Sequence, residues 1–173
     1  LGQLDDDTAI ESLGELGYRQ PREAISRLAA LRASGRYAQL ASANRSRLDA
    51  IGPRLIEAAA TTADPDTTLA RCLNFVETVS RRGAYLALLQ QYPMALRRVA
   101  DMVCASPWAA EYLGRHPLLL DELLDPRLYD MATDWVAFRE NLRHNLASHA
   151  GDTEREMDIL REMHHAQIFR LLA

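Results

Sequence analysis

Residues 92–126 read YPMALRRVADMVCASPWAAEYLGRHPLLLDELLDP, and this stretch decides the fold class. Proline recurs in it at the start of short apolar segments. The four dipeptides are Tyr92-Pro93, Ser106-Pro107, His116-Pro117 and Asp125-Pro126. Proline is tolerated in the first turn of a helix, where its missing N–H group has no intrahelical partner to lose. The pattern therefore predicts a series of helices of about two to three turns each.

The composition of the whole chain extends this prediction to all 173 residues. Leu and Ala occur 27 times each, whereas Ile occurs 6 times and Val 5 times. Leu and Ala lose little on entering a helix, and the β-branched residues that suit strands are scarce. We therefore predict an all-α fold, a compact bundle of about ten mostly short helices with no sheet.

We predict one helical domain over residues 1–173, in three parts. Residues 1–62 form Arg-rich N-terminal helices, residues 64–130 form the proline-punctuated helices, and residues 133–173 form two longer helices. In the first part, one helix continues through Pro53 with a kink, because proline removes a hydrogen-bond donor. The last helix is expected to carry one apolar stripe, which consists of Met157, Leu160, His164, Ile168 and Leu171.

Two Glu–His pairs have part of the spacing of a metal site. Glu162-x-x-His165 is half of the ligand set of a di-iron bundle, and the sequence contains no second Glu-x-x-His. Glu140 and His144 lie in the wrong order for a His-Glu-x-x-His zinc helix, and Asn141 stands where its Glu would be. We interpret both pairs as surface pairs.

Two aspartate pairs, Asp5–Asp7 and Asp64–Asp66, have the spacing of magnesium-binding carboxylates. Nucleotidyl transfer would also need a Gly-Ser turn and a strand beside them, and neither pair has that setting. We interpret Asp64 as a helix N-cap and the first pair as acidic residues at a helix start. The chain also contains no glycine-rich phosphate loop and no lysine. The sequence therefore predicts no catalytic, cofactor-binding or metal-binding residue in this chain.

The cysteines, the apolar runs and the chain ends indicate the compartment of the protein and the extent of the chain. Cys72 and Cys104 do not form a Cys-x-x-Cys motif, and we interpret them as small core residues in a reducing compartment. No apolar run is long enough to span a bilayer, so we predict no membrane partner. The chain starts at Leu1 without Met and ends in an apolar segment, 169–173. We therefore expect a piece of a longer protein.

Positive charge is concentrated in the first third of the chain. Residues 18–54 hold eight Arg and two acidic residues, a formal charge of +6 within a chain of net charge −4. This asymmetry indicates either an Arg-bearing face for an acidic partner or another domain, or a solvated helix face. Nucleic acid is a third and less favoured partner, because the chain as a whole is acidic. On the first interpretation, the partner-facing residues are Arg45, Arg47 and Arg54.

Several segments resemble a known family. The segments RRGAYLALL (81–89), YPMAL (92–96), SPWA (106–109) and HPLLLDELLDP (116–126) resemble the bifunctional glutamine synthetase adenylyltransferase/adenylyl-removing enzymes. The last helix, with LREM (160–163) and QIFR (167–170), is similar to the segment that enters the second nucleotidyltransferase domain of that family. The resemblance implies a central helical fragment of a much longer, cytoplasmic bacterial enzyme.

The resemblance also implies what the longer enzyme does. The family transfers AMP from ATP to a tyrosine of glutamine synthetase and removes it by phosphorolysis, under control of a PII-type signalling protein and glutamine. Mg²⁺ and ATP are the cofactors implied for the parent enzyme, and its Gly-Ser…Asp-x-Asp signature is not in this sequence. The chain is therefore expected to be inactive alone, to position the adenylylating domain and to offer a docking face.

The implied partners are the neighbouring nucleotidyltransferase domains, glutamine synthetase and the PII-type protein. The alternative that the residues leave open is a stand-alone helical interaction module, which would use the Arg-rich face.

Overall fold

The computed structural model describes residues 6–120 and 135–172, which form ten α-helices and one 3-10 helix and contain no strand. The α-helices are α1 (Asp6–Glu15), α2 (Pro21–Ala33), α3 (Gly35–Ala38), α4 (Ser42–Ala60), α5 (Pro65–Val79), α6 (Gly83–Gln91), α7 (Pro93–Ala105), α8 (Pro107–Arg115), α9 (Trp135–Ala147) and α10 (Thr153–Leu172). The 3-10 helix covers Pro117–Leu120. The prediction of an all-α fold is confirmed over this part of the chain.

Proline marks helix starts, as the sequence predicted. The helices that begin at a proline are α2, α5, α7 and α8. The residues before three of these prolines, Gln20, Tyr92 and Ser106, make no capping hydrogen bond through their side chains. At Pro117 the chain forms a 3-10 helix instead of an α-helix. The fourth predicted start, Asp125-Pro126, lies outside the described residues.

Glycine occupies the turns next to two of the helices. Gly17 follows α1 with a φ of 92°, and Gly151 precedes α10 with a φ of 94°. Only glycine adopts this left-handed conformation without strain. The N–H groups of Gly17 and Tyr18 donate to the carbonyl oxygens of Gly14 and Leu13, at 3.0 and 3.1 Å, which is the Schellman arrangement of a helix end.

Helix α4 is continuous from Ser42 to Ala60 with Pro53 inside it, as predicted; its kink stays a prediction. Pro53 is exposed, whereas Ile51, Leu55 and Ile56 are almost fully buried. The ring of Pro53 therefore faces solvent while the apolar face of α4 packs inward, so the helix loses one main-chain hydrogen bond and keeps its core contacts.

The chain divides into two compact units, and the first, Leu1–Leu120, contains the buried core. Helices α4, α5, α6 and α7 pack against one another, α8 packs on α5 and α7, and α2 packs on α1 and α5. The largest fully buried side chains all lie in this unit; they are Ile51, Leu55, Leu69, Val76, Val79, Leu86, Leu89, Leu96, Leu113 and Leu120. Most of them come from α4 to α7, whose packing therefore makes the core.

The second unit, Asp121–Ala173, contains α9 and α10, which pack on each other. The carboxylate of Asp152 accepts a hydrogen bond of 3.0 Å from the N–H of Arg155 and caps α10, as predicted. The single domain predicted over 1–173, with its three parts, stays a prediction.

The predicted apolar stripe of α10 is wrong for its described members. Ile159 is buried at 5% exposure, whereas Met157 is 48% and Leu160 is 42% exposed. His164 is also exposed. The buried face is rotated by about 100°, one residue, from the predicted face. The side chains of Ile168 and Leu171 lie outside the described set.

Candidate interaction surface

Arg45, in the first part of α4, holds the end of α3. Its Nη2 donates hydrogen bonds to the carbonyl oxygens of Ala38 and Leu40, at 3.1 and 3.2 Å. Its guanidinium carbon also lies 5.6 Å from the ring centre of Tyr37. A cation at this position stabilises carbonyl groups that have no partner within the short helix. Arg45, predicted to face a partner, thus makes contacts within its own fold.

Two further arginines donate hydrogen bonds to carbonyl groups at the ends of helices that lie far from them in the sequence. Nη1 of Arg54 on α4 donates to the carbonyl oxygen of Gln90 in the last turn of α6, at 2.7 Å. Nη1 of Arg71 on α5 donates to the carbonyl oxygens of Val103 and Cys104 in the last turn of α7, at 2.6 and 3.2 Å. Sequence reasoning missed Arg71, because nothing local shows that residues 32 positions apart will meet.

Arg47 connects α4 to the turn between α5 and α6. Its Nη1 donates to Oδ1 of Asn44 at 3.2 Å, and Nδ2 of Asn44 donates to the carbonyl oxygen of Ser80 at 3.3 Å. A Cβ atom on Gly83 would lie 2.6 Å from Oδ1 of Asn44. The start of α6 therefore lies directly against the start of α4, with Arg47 beside it.

The turn between α5 and α6 carries two more arginines. Arg81 and Arg82 are both exposed, and the guanidinium carbon of Arg82 lies 5.9 Å from the ring centre of Tyr85. Nη1 of Arg36 lies 3.9 Å from Oε1 of Glu77, and Glu77 is in the last helical turn of α5, just before the turn between α5 and α6. We name this set the arginine cluster: Arg36, Arg47, Arg81 and Arg82. Arg47 is the member that the sequence also predicted to face a partner.

Other arginines of residues 18–54 form ion pairs within the fold. Nη2 of Arg27 lies 2.7 Å from Oε1 of Glu23, and Nη2 of Arg32 lies 3.4 Å from Oδ1 of Asp49. Both pairs are about half exposed, and ion pairs of this kind stabilise a fold by roughly 0–1 kcal/mol. The hydroxyl of Tyr37 donates to Oδ2 of Asp49 at 2.8 Å. The two ion pairs use both acidic residues of the segment 18–54, so the formal excess of +6 remains on its other arginines.

The two aspartates of the Asp64–Asp66 pair bind main-chain N–H groups. Asp64 caps α5 by accepting from the N–H of Thr67 at 3.3 Å, as predicted, and hydrogen bonds from Thr67 hold the pKa of its carboxyl below the ordinary value. The carboxylate oxygens of Asp66 accept from the N–H groups of Arg19 and Gln20, at 2.9 and 3.0 Å, and so fix the entry to α2.

In the other aspartate pair, Asp5–Asp7, the structure describes only Asp7. Asp7 is exposed near the start of α1, where an acidic side chain is favoured, and Asp5 lies outside the described residues.

The described members of the predicted Glu–His pairs lie on helix surfaces. Glu140 and His144 are both exposed on α9, and Glu162 on α10 is exposed with Oε1 3.8 Å from Nη1 of Arg155. The side chain of His165 is outside the described set. Within residues 6–120 and 135–172, no three His, Cys, Asp or Glu side chains converge into a group that could hold a metal ion.

The two cysteines are free thiols in different surroundings. Cys72 is fully buried, as predicted, and burial raises the pKa of its thiol to about 12. Cys104 is only partly buried. Hydrogen bonds from the Thr68 hydroxyl and from the N–H of Asp64 hold the pKa of the Cys104 thiol below its ordinary value. The prediction of a core residue is thus confirmed for Cys72, whereas Cys104 is closer to the surface.

Two cavities lie near α2, and both are small. One of about 220 Å³ lies between α2 and α5, and its lining is half apolar and half polar, consisting of Ala30, Leu31, Ala70, Leu73, Arg27, Ser34, Asn74 and Glu77. The other, of about 150 Å³, lies among α2, α4 and α5 and is mostly apolar. Pockets for small ligands are usually about 300–1,000 Å³. The exterior arginines are therefore a better candidate site than either cavity.

Comparison with known proteins assigns the chain to a family. The model of the family described as glutamate-ammonia ligase adenylyltransferase matches residues 96–173. A bifunctional glutamine synthetase adenylyltransferase/adenylyl-removing enzyme from Ralstonia nicotianae is 46% identical over 172 residues, which are 98% of this chain. The chain belongs to this adenylyltransferase family.

Further relatives carry the same name. The relative from Burkholderia mallei is 48% identical over 99% of this chain, and the relative from Aromatoleum aromaticum is 63% identical over 78% of it. The chain spans only 14% to 19% of the length of these three adenylyltransferases. No helix in the described part of the chain is both long enough and apolar enough to cross a membrane.

Proposed function

We propose that this chain is a non-catalytic helical segment of a bifunctional glutamine synthetase adenylyltransferase, and that it positions the domain that transfers AMP. The observation that carries the proposal is the identity of 46% and 48% with two enzymes of that name, over nearly the whole chain. The rest of each relative lies outside the matched region, so the reaction of the parent enzyme is assigned to that remainder.

The roles of the aspartates support a non-catalytic segment. A nucleotidyltransferase needs carboxylates that are free to hold Mg²⁺. Asp64 and Asp66 instead accept hydrogen bonds from main-chain N–H groups at helix starts. The sequence also lacks the Gly-Ser…Asp-x-Asp signature. The carboxylates of this pair are thus used for folding.

Long-range hydrogen bonds support a positioning role. Arg54 ties α4 to the end of α6, and Arg71 ties α5 to the end of α7. The buried hydroxyl of Tyr18 donates to the carbonyl oxygen of Ile56 at 2.8 Å and ties the end of α1 to α4. These bonds brace the helices of residues 6–120 against one another. A braced block can hold a neighbouring domain in place, and it can transmit a signal only if a ligand binds two domain arrangements differently.

The cofactors, partners and compartment of the parent enzyme are part of this proposal. They are ATP and Mg²⁺ bound elsewhere in the parent chain, the neighbouring nucleotidyltransferase domains, glutamine synthetase and a PII-type signalling protein, all in the bacterial cytoplasm. The names of the relatives support glutamine synthetase as the substrate.

The alternative is a stand-alone interaction module built on Arg45, Arg47 and Arg54. Arg45 and Arg54 donate hydrogen bonds to carbonyl oxygens of their own fold. We therefore place the family role first, and the partner-facing role of these three residues stays a prediction.

A transfer assay tests the non-catalytic assignment. The 173-residue chain is incubated with glutamine synthetase, Mg²⁺ and ATP labelled in the α-phosphate, with the full-length Ralstonia nicotianae relative as the positive control. We expect labelled glutamine synthetase with the relative and none with this chain. Label above background with this chain would contradict the proposal.

A further inference from the structure

We propose that the arginine cluster is a docking surface for an acidic polypeptide segment, which it binds through the carboxylates of that segment. This inference concerns a surface that the family relationship does not define. It does not depend on the adenylylation reaction.

The cluster is assembled from two separate segments. Residues 34–47 contain three Arg and no acidic residue, and residues 77–83 contain two Arg and Glu77. The segments meet where Nδ2 of Asn44 donates to the carbonyl oxygen of Ser80 at 3.3 Å, and where Arg36 approaches Glu77. The fold thus joins two stretches with a combined formal charge of +4.

The arginines of the cluster have little charge compensation from these segments. The contact between Arg36 and Glu77 is long, at 3.9 Å, and the Arg36 side chain is 60% exposed. Arg47 donates to the neutral amide oxygen of Asn44. Arg81 and Arg82 are exposed in the turn. Glu77 is the only acidic residue in the sequence of these two segments, so an acidic ligand would find unneutralised positive charge there.

The chemistry of the cluster favours carboxylates on a polypeptide. The planar guanidinium group pairs with a carboxylate through two parallel hydrogen bonds. A nucleic-acid duplex is a poorer ligand, because its binding draws most of its affinity from the neutralisation of many phosphates along the backbone. This chain has a net charge of −4 and would repel a duplex outside the cluster. A local cluster on an acidic chain fits a short acidic segment better than a nucleic acid.

Peptide binding tests this inference. The probe is a fluorescein-labelled peptide of glutamate and glycine, titrated with the chain at low ionic strength and followed by anisotropy. The test variant is Arg47→Gln/Arg81→Gln/Arg82→Gln, and the control variant, Arg22→Gln/Arg97→Gln/Arg115→Gln, removes the same charge from other exposed sites. We expect the test variant to bind about tenfold more weakly, because three charge contacts are lost, and the control to bind nearly as well as the unmodified chain.

Three further measurements separate loss of the charge contacts from loss of the fold. Added salt should weaken the binding, because exposed charges are screened. The double variant Arg81→Gln/Arg82→Gln leaves the Arg47–Asn44 bond intact, and circular dichroism checks that each variant keeps its helices. Absence of peptide binding, equal weakening in the test and control variants, or stronger binding of a labelled oligonucleotide with the same number of charges would each overturn the proposal.

Discussion

Nη1 of Arg71 on α5 lies 2.6 Å from the carbonyl oxygen of Val103 in the last turn of α7. The last four carbonyl groups of a helix have no partner within it. A charged donor brought in from another helix both satisfies such a group and fixes the position of the two helices. Arg54 does the same for α6, so arginine joins helices within this fold as well as carrying surface charge.

Replacement of Arg71 should weaken the fold. Arg71→Met keeps most of the apolar stem and removes two hydrogen bonds to main-chain carbonyls. We expect the free energy of unfolding to fall by about 1.5–3 kcal/mol, the usual contribution of a partly buried charged hydrogen bond. Urea unfolding followed by circular dichroism measures it. Arg22→Met, at an exposed position, is the control and should change the value by less than about 0.5 kcal/mol. Equal effects of the two substitutions would contradict the role of Arg71.

The local part of this fold could be predicted from the sequence, and the long-range part could not. Proline at 93 and 107 and glycine at 17 and 151 act on their own backbone, so their effects could be predicted from position alone. The bonds of Arg54 and Arg71 depend on which helix ends meet after folding. The charge pattern identified an Arg-rich region without separating the arginines that brace the fold from those that face solvent.

The buried face of α10 is a second feature that could not be predicted from the sequence. Met157, Ile159, Leu160 and Met163 allow two overlapping apolar faces, one through Met157 and Leu160 and the other through Ile159 and Met163. The structure buries Ile159. Helical periodicity alone gives both faces and does not choose between them.

The two thiols should react at different rates with an alkylating reagent. The thiolate attacks iodoacetamide and displaces iodide, so a lowered pKa and partial exposure favour Cys104, whereas Cys72 is buried with a pKa of about 12. We expect brief treatment of the native chain near neutral pH to label residue 104 alone, as measured by peptide mass spectrometry. In urea both cysteines should react. Labelling of Cys72 at a rate equal to that of Cys104 in the native chain would refute the assignment.

Burial of Cys72 should make the fold less stable in alkali. A thiol whose pKa is raised from about 9 to about 12 keeps its proton longer in the folded state than in the unfolded state. Its contribution to stability is complete below pH 9 and is lost as the pH rises towards 12, with a slope of up to about 1.4 kcal/mol per pH unit. Denaturant unfolding at several pH values should therefore show a shallower alkaline decline in Cys72→Ala than in the unmodified chain. Parallel declines would count against this linkage.

Pro53 should limit the stability of α4. Pro53→Ala restores an N–H group that can donate to the carbonyl of Asp49, and the exposed position leaves the core unchanged. Proline inside a helix costs about 3 kcal/mol, partly offset by its restriction of the unfolded chain, so we expect a gain of about 1–2 kcal/mol. Thermal unfolding measures it. Pro93→Ala, at the exposed first position of α7, is the matched control and should give no comparable gain. A destabilised Pro53→Ala variant would be incompatible with this reasoning.

The most direct test of the central claim places this chain back in a whole enzyme. The matched segment of the Ralstonia nicotianae relative is replaced by this chain, and AMP transfer to glutamine synthetase is measured for the hybrid, for a hybrid with Arg54→Gln/Arg71→Gln, and for one with Arg22→Gln. We expect the unmodified and Arg22→Gln hybrids to transfer AMP at similar rates. The Arg54→Gln/Arg71→Gln hybrid should lose about fivefold in kcat, or about 1 kcal/mol, with an unchanged KM for ATP. Equal kcat in all three hybrids would contradict a role for this braced helical block in positioning the transferase domain.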